Sequence, residues 1–332
     1  MLLLVKIGGL WMQNVQTVSE SDLAAGTFVL RPDTRRVQFK SALGAEALSG
    51  LAALFRTHPD LELRVYGRDG SLSDLSFLRS VPPLRALHVE VDGLKSLRGI
   101  EATAQSLESL VLGATRASLD LAPLNDLTRL SRFYVEGHDQ VLSVLPSLGS
   151  LRSLTLRSIV LRSLEPVTCL SALEALDLKL GVVPQLDRLT ELGSLQYLEV
   201  WSVRGLDTLS GLEGMASVEE VYLQGISGIS SLAPLADVAS LTRLTLKNMV
   251  GIHLLDDVVR IPHLSDLVLE EMPHLGVAEY VKLRSAPALE RLLIAPHARQ
   301  ALVRSGVELP FGSVTETGRH PSLRSSLARA RS

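Results

Sequence analysis

A leucine-rich pattern of apolar and polar positions recurs at a nearly fixed interval over most of the chain. The pattern is L-x-x-L-x-L, and successive copies start 21 to 25 residues apart. The copies begin at Leu84, Leu107, Leu130, Leu151, Leu173, Leu195, Val218, Leu241, Leu264 and Leu289, with a weaker copy at Asp60. Apolar and polar residues alternate at the end of the pattern, as is typical of a β-strand with one buried face. The sequence therefore predicts one short strand in each copy.

A repeat unit of roughly 23 residues holds a strand, a bend and a brief return segment, with no room for a long helix. Such a unit cannot bury its leucines alone, so neighbouring units must stack to form a continuous core. Leucine makes up 68 of the 332 residues, while aromatic residues make up only 4%. This composition suits many copies of one small core, and the sequence predicts a solenoid.

The repeat resembles that of leucine-rich-repeat proteins. Short units with a Pro-Leu or Pro-Val return, at Pro123, Pro166 and Pro234, resemble the bacterial internalin-like and SDS22-like subclass. The resemblance covers residues 60–295, about seventy per cent of the chain. It implies an α/β solenoid: a right-handed horseshoe of about 11 coils, with a parallel concave sheet and short 3-10 or turn segments on the convex side.

One position departs from the family pattern. The family usually has an asparagine eight residues after the repeat start, where the amide bonds the backbone of adjacent coils. From the middle of the chain onward most of these positions are apolar, so we expect packing rather than an amide ladder to hold this turn. The positions are occupied here by Asp92, Thr115, His138, Ile159, Gly181, Val203, Ile226, Met249 and Met272.

The ends of a solenoid need covers, because an open end exposes leucine and unpaired strand edges. Residues 27–40 are predicted to form two short strands around a Pro-Asp turn, and residues 41–57 a helix capped by Ser41. A short helix ending before Gly306 is expected at the other end. The predicted segments are an N-terminal extension (1–26), an N-terminal strand-helix cap (27–59), the solenoid (60–295), a C-terminal cap (296–311) and a disordered basic tail (312–332).

The two termini leave alternatives open. Lys6 interrupts the apolar start and no cleavage motif follows, so we expect a cytoplasmic protein, with secretion as the alternative and Met12 as an alternative native start. The serine- and arginine-rich tail is expected to be disordered, and a basic docking tail is the alternative interpretation. Its arginines are Arg319, Arg324, Arg329 and Arg331.

Composition and motifs argue against nucleic-acid binding, catalysis and metal binding. The net charge of −3 does not suit a nucleic-acid binder, which usually has a basic excess. No phosphate-binding, dinucleotide-binding, zinc-protease or nucleophile-elbow motif occurs, so we expect no enzyme and no cofactor. His253, His263 and His274 fall at three different places in their repeats, which argues against a metal site. The single cysteine, Cys169, indicates a reducing compartment and is expected to be a small core residue.

Residues at offsets 2, 4 and 6 of each copy should point away from the buried leucines and tile the concave face. These positions hold four of the five tyrosines and one of the two tryptophans. Strands favour such residues in any case, which is one explanation, and exposed aromatic anchors of a protein interface are the other. The predicted partner-binding residues are Tyr197, Trp201, Tyr222, Asp177, Glu199, Glu220, Tyr134 and Tyr66.

The sharpest hypothesis is an aromatic-acidic patch around Tyr197, Trp201 and Tyr222. Asp177 and Glu199 should be direct neighbours, and two like charges side by side are destabilising unless a cation joins them. That cation could be an arginine or lysine of a partner, bound by charge pairing and cation–π contact. In the alternative interpretation, Lys179 and Arg243 of the chain itself neutralise the carboxylates.

The function predicted from these features is non-catalytic binding of another protein through the concave face. Two alternatives remain: an immunity-type or regulatory inhibitor that plugs an enzyme, and a secreted recognition protein of the internalin kind. The pattern predicts no nucleic-acid partner, no membrane span and no small-molecule cofactor.

Overall fold

The computed structural model of the protein describes residues 14–313, which form two compact units dividing between Leu148 and Gly149. The predictions for the first residues, including the alternative start at Met12, and for the basic tail beyond residue 313 lie outside the described residues.

Unit 1 is a parallel sheet in which each strand pairs with the next along the chain. Its strands are β1 (Val15–Thr17), β2 (Arg36–Phe39), β3 (Glu62–Gly67), β4 (Ala86–Val91), β5 (Ser109–Leu112) and β6 (Arg132–Glu136). Its α-helices are α1 (Glu20–Ala25), α2 (Ala45–Thr57) and α3 (Val141–Val144), and its 3-10 helices are Ser76–Ser80, Ile100–Thr103, Ala122–Asp126 and Leu145–Ser147.

Unit 2 repeats the arrangement with parallel strands paired in chain order. Its strands are β7 (Ser153–Arg157), β8 (Ala175–Lys179), β9 (Tyr197–Trp201), β10 (Glu220–Gln224), β11 (Arg243–Lys247), β12 (Asp266–Glu270), β13 (Arg291–Ile294) and β14 (Gly312–Ser313). Its α-helices are α4 (Glu165–Thr168), α5 (Asp256–Val259), α6 (Val277–Lys282) and α7 (Pro296–Arg304), and its 3-10 helices are Leu189–Glu191, Ala233–Asp237 and Leu283–Ser285.

The strand prediction is confirmed, since a strand begins at or next to the second residue after every start of the leucine pattern. The pairing also keeps repeat positions aligned, so that Leu178 lies beside Val200 and Val200 beside Leu223. These inward residues are fully buried and form the core. Residues at offsets 2, 4 and 6 consequently form three straight rows on the other face, which we call the outer sheet face.

In the copies from Leu84 to Leu264, the family's asparagine position in the turn after the strand holds other residues. In unit 2 the apolar side chains at the family's asparagine position are buried, which confirms the prediction of packing; they belong to Ile159, Val203, Ile226, Met249 and Met272. The backbone also contributes. The residue that follows the strand is left-handed at Ser158, Leu180 and Ser202, with φ between 49° and 56°. In that conformation its N–H donates to the last carbonyl of the next strand, at 2.7–2.9 Å for these three residues.

Serine hydroxyls add a second link between coils. These serines stand directly before the start of the leucine pattern. Ser106, Ser217 and Ser240 each donate to the backbone carbonyl at the start of the preceding copy, at 2.7–2.8 Å. Because these bonds satisfy carbonyls at the points where the strands begin, they hold the register of the outer sheet face.

The ends differ in detail from the predicted segments. Residues 27–35 form a loop where a first strand was expected, and the outermost strand β1 precedes them. Helix α2 starts after Gly44, which adopts the N-cap conformation, and not at Ser41. The side chain of Ser41 instead donates to Asp69 of the first repeat at 2.7 Å. At the other end, α7 lies before Gly306, which has a left-handed φ of 65°.

Candidate protein-binding face

A buried charge cluster occupies the outer sheet face of unit 2 at strands β8 and β9. The Lys179 ammonium lies 2.8 Å from Glu199 Oε1 and 3.7 Å from Asp177 Oδ2. The Thr155 hydroxyl donates to Asp177 Oδ2 at 2.7 Å. The side chains of Asp177 and Lys179 are only 2% and 5% exposed. The cation between the two neighbouring carboxylates is therefore supplied by the chain itself, as in the second interpretation of the patch.

Glu220 is neutralised in the same way. The Arg243 guanidinium lies 3.7 Å from Glu220 Oε2 and 3.9 Å from Asp266 Oδ2, and Arg291 forms a bidentate pair with Asp266. Alternating charges on four adjacent strands thus form one row of ion pairs, at offset 2 of the repeat.

The three aromatic residues of the predicted patch differ in accessibility. Tyr197 is buried, only 4% exposed, and its hydroxyl donates to Glu199 at 3.0 Å. Trp201 is half-buried, with the Arg157 guanidinium 5.5 Å and the Lys179 ammonium 5.9 Å from its ring centroid. These two contacts are cation–π interactions within the chain. Trp201 is therefore accessible to a binding partner, and Tyr197 is not.

Tyr222 is half-buried, and its hydroxyl donates to Gln224 Oε1 at 2.6 Å. Burial, together with the charge of Glu199, raises the pKa of Tyr222 above its usual range, so the hydroxyl stays a neutral donor. This bond to the second residue along the same strand holds the Tyr222 side chain in place.

The remaining predicted aromatics belong to unit 1. The Tyr134 hydroxyl donates to Glu136 at 3.0 Å, by the same two-residue spacing as in Tyr222. The Arg64 guanidinium lies 4.5 Å from the centroid of the Tyr66 ring. Each ring is thus held by a polar neighbour on its own strand.

Also in unit 1, His88 lies buried among charged residues. Its Nε2 is 3.5 Å from Glu62 and 3.5 Å from Arg36. Burial, together with the charges of Arg36 and Arg64, lowers the pKa of His88 to about 3. The imidazole is therefore neutral at physiological pH.

A row that sequence reasoning did not single out lies at offset 4 of the last repeats. Tyr222, Thr245, Val268 and Leu293 are hydrogen-bonded neighbours in the sheet, and all four are partly exposed. We call these four residues the apolar lane. The signal for it was present in the sequence, since the same repeat offset turns from acidic at Asp177 and Glu199 to uncharged in these strands.

One expectation about an isolated residue needs correction. Cys169 is exposed rather than part of the core, because the return segment turns it outward, and its thiol lies 3.6 Å from the Glu165 carbonyl. The rings of His253 and His274 pack together with centroids 5.3 Å apart, and the His274 imidazole is hydrogen-bonded to the Ile252 carbonyl of the preceding coil. Within residues 14–313, no group of three or more His, Cys, Asp or Glu residues is placed to hold a metal ion.

No helix between residues 14 and 313 has the length and apolar character needed to cross a bilayer.

Stacked units of one strand and one short return segment define the leucine-rich-repeat fold, and comparison with solved structures gives the same fold. An internalin of Listeria monocytogenes, InlF, matches with a TM-score of 0.53 and 16% identity, covering 83% of this chain and 76% of the internalin. Internalin C2 of the same species matches with a TM-score of 0.47 and 24% identity, covering 59% and 83%. A leucine-rich-repeat protein of Leptospira interrogans matches with a TM-score of 0.38 and 15% identity, covering 91% and 94%.

Neither a protein-family model nor a curated protein matches this sequence. At 16% identity, the likeness to InlF shows the fold alone.

Proposed function

We propose that the protein is a non-catalytic scaffold that binds another protein through the outer sheet face, the concave face of the predicted horseshoe. The observation that carries the proposal is the presentation of Trp201 and Tyr222. Both are partly exposed, and both are fixed on strands by contacts within the chain. Rigid aromatic side chains are common anchors of protein interfaces, because they bury a large area at a small cost in conformational entropy.

The other predicted contact residues have graded roles in this proposal. Asp177, Glu199, Glu220 and Tyr197 support the face from below, since they are buried or paired within the sheet. Tyr66 and Tyr134 are proposed as contacts of unit 1 for the same reason as Trp201, namely a ring held on a strand by a polar neighbour.

The partner is proposed to be a protein rather than a nucleic acid, because the charges on the outer sheet face of unit 2 are balanced by pairing and form no basic track among the residues up to 313 that the structure describes. A cytoplasmic location is proposed as well. The single cysteine is exposed, and a reducing compartment keeps such a thiol free.

Site-specific photo-crosslinking tests the function. A benzophenone amino acid replaces Trp201 in one variant and Leu254 in another, and both are irradiated in lysate of the source organism. Leu254 is the matched control because it is apolar and 62% exposed, but lies outside the sheet. We expect one protein to be crosslinked at position 201 and not at position 254. Equal crosslinking at both positions, or none at position 201, would contradict the proposal.

A second measurement separates a scaffold from an inhibitor. If the crosslinked protein is an enzyme, its activity is titrated with the purified chain. Loss of activity at a one-to-one ratio would identify the regulatory alternative, whereas unchanged activity at saturation is expected for a scaffold.

A further inference from the structure

We propose that the partner is recognised through a short amphipathic helix, which lies across strands β10 to β13 along the apolar lane. The inference rests on the proposed function and specifies the partner's chemistry at that face.

The lane offers an uncharged surface between charged rows. Tyr222, Thr245, Val268 and Leu293 stand side by side on four consecutive strands, each directly paired with the next. At β8 and β9 the same row holds two acidic residues, Asp177 and Glu199, and Lys179 forms an ion pair with Asp177. The uncharged part of the row therefore ends at Tyr222. A partner gains by burying the lane, because no ion pair has to be desolvated there.

The spacing of the lane fits a helix. Adjacent strands lie about 4.8 Å apart, so the four lane residues span about 14 Å. A helix crossing the strands brings one apolar side chain to the surface at each turn, about every 5.4 Å, and covers the lane in about ten residues. An extended segment would bring a side chain to the same face only every 6.7 Å or so, which fits the strand spacing poorly.

The width also fits. The flanking rows lie at offsets 2 and 6, four residues apart along each strand, or about 13 Å. A helix with its side chains is about 10–12 Å across. It can therefore rest on the lane and reach both rows.

The two edges of the lane carry opposite exposed charges, which sets the chemistry of the helix. On the offset-2 edge, Arg243 and Arg291 are 32% and 43% exposed, while their carboxylate partners are buried. On the other edge, Glu271 is 61% exposed and is joined by Glu270, with Lys247 paired to both. The matching helix has acidic residues on one flank of its apolar stripe and basic residues on the other.

A synthetic peptide tests the inference directly. The probe is a 16-residue fluorescein-labelled helical peptide with leucines at every third or fourth position, glutamates on one flank of the stripe and lysines on the other. A control peptide has the same composition, with glutamate and lysine alternating on both flanks. We expect saturable binding of the probe by fluorescence anisotropy, and binding of the control weaker by about fivefold.

Variants of the full chain locate the site. We expect Val268→Asp to weaken probe binding by about tenfold or more, because an unpaired charge would lie under the helix. The control Leu254→Asp makes the same kind of change at an exposed apolar residue outside the sheet, and should leave binding within about twofold. Equal melting temperatures of the two variants would show that both fold.

Lack of saturable binding, or equal effects of the two variants, would overturn the inference. If crosslinking at position 201 succeeds while the probe fails to bind, the proposed function stands and the helix proposal is wrong. If the probe binds at the lane and no protein is crosslinked at position 201, the proposed function is wrong as stated.

Discussion

Replacing Lys179 by methionine is expected to be among the most destabilising changes on the outer sheet face. Methionine keeps most of the side-chain volume and removes the ammonium that lies 2.8 Å from Glu199 and 3.7 Å from Asp177. Both carboxylates then remain in a site where the lysine itself is only 5% exposed. Removing one partner of a buried ion pair costs about 3–5 kcal/mol, because the other charge stays desolvated and unpaired.

The assay is urea unfolding at pH 7, followed by far-ultraviolet circular dichroism. The matched control is Arg260→Met, which removes a 2.7 Å ion pair with Asp257 from a site where the arginine is 59% exposed. An exposed pair contributes at most about 1 kcal/mol. Asp177→Asn and Glu199→Gln, added to Lys179→Met, should recover much of the loss, because amides need no counter-charge. If Lys179→Met lowers the free energy of unfolding no more than Arg260→Met does, water reaches the two carboxylates and the argument from their burial is wrong.

Three further measurements test other parts of the fold. His88 stays neutral in the folded protein down to about pH 3, whereas His88 of the unfolded chain takes up a proton below about pH 6.5. The free energy of unfolding should therefore fall by about 2 kcal/mol between pH 7 and pH 5. Urea unfolding of His88→Gln should lack this part of the fall. Gly211→Ala should lower the free energy of unfolding by more than about 2 kcal/mol, because φ is +99° and the new Cβ would lie 2.5 Å from the Leu186 carbonyl oxygen. In the control Gly193→Ala the new Cβ meets open space, so this variant should be close to neutral. Ser217→Ala should cost about 1 kcal/mol, and a loss below the error of the unfolding midpoint would show that its bond between coils contributes nothing.

The strands could be predicted from sequence because the same pattern of apolar and polar positions recurs in every copy of the repeat. A leucine at the pattern start fixes which residues face inward, so the pattern at Leu195 locates β9 at Tyr197–Trp201 without reference to any other copy. The left-handed turn could not be predicted in this way. It is occupied by Ser158, Leu180 and Asn248, whose side chains are a hydroxyl, an alkyl group and an amide, and in each case the backbone N–H then reaches the next coil.

The candidate site was predicted less well, because accessibility depends on neighbours in adjacent coils. The offsets assigned Tyr197 and Trp201 to the outer sheet face, but could not show that Tyr197 is buried while Trp201 is only half-buried. Cys169 fails for a similar reason. Apolar neighbours in sequence suggested burial, yet the return segment turns the thiol outward.

The aligned register supplies a rule that separates supporting residues from contact residues on such a face. Because each offset forms a straight row, opposite charges on adjacent strands meet and pair, as Glu220, Arg243 and Asp266 do. Pairing of this kind stabilises the sheet. A row without charges, such as Thr245 and Val268, has no partner of this kind within the sheet and gains most from a partner outside it. A charged cluster on a repeat face is therefore first a candidate for internal pairing, and the uncharged row beside it is the better candidate for contact.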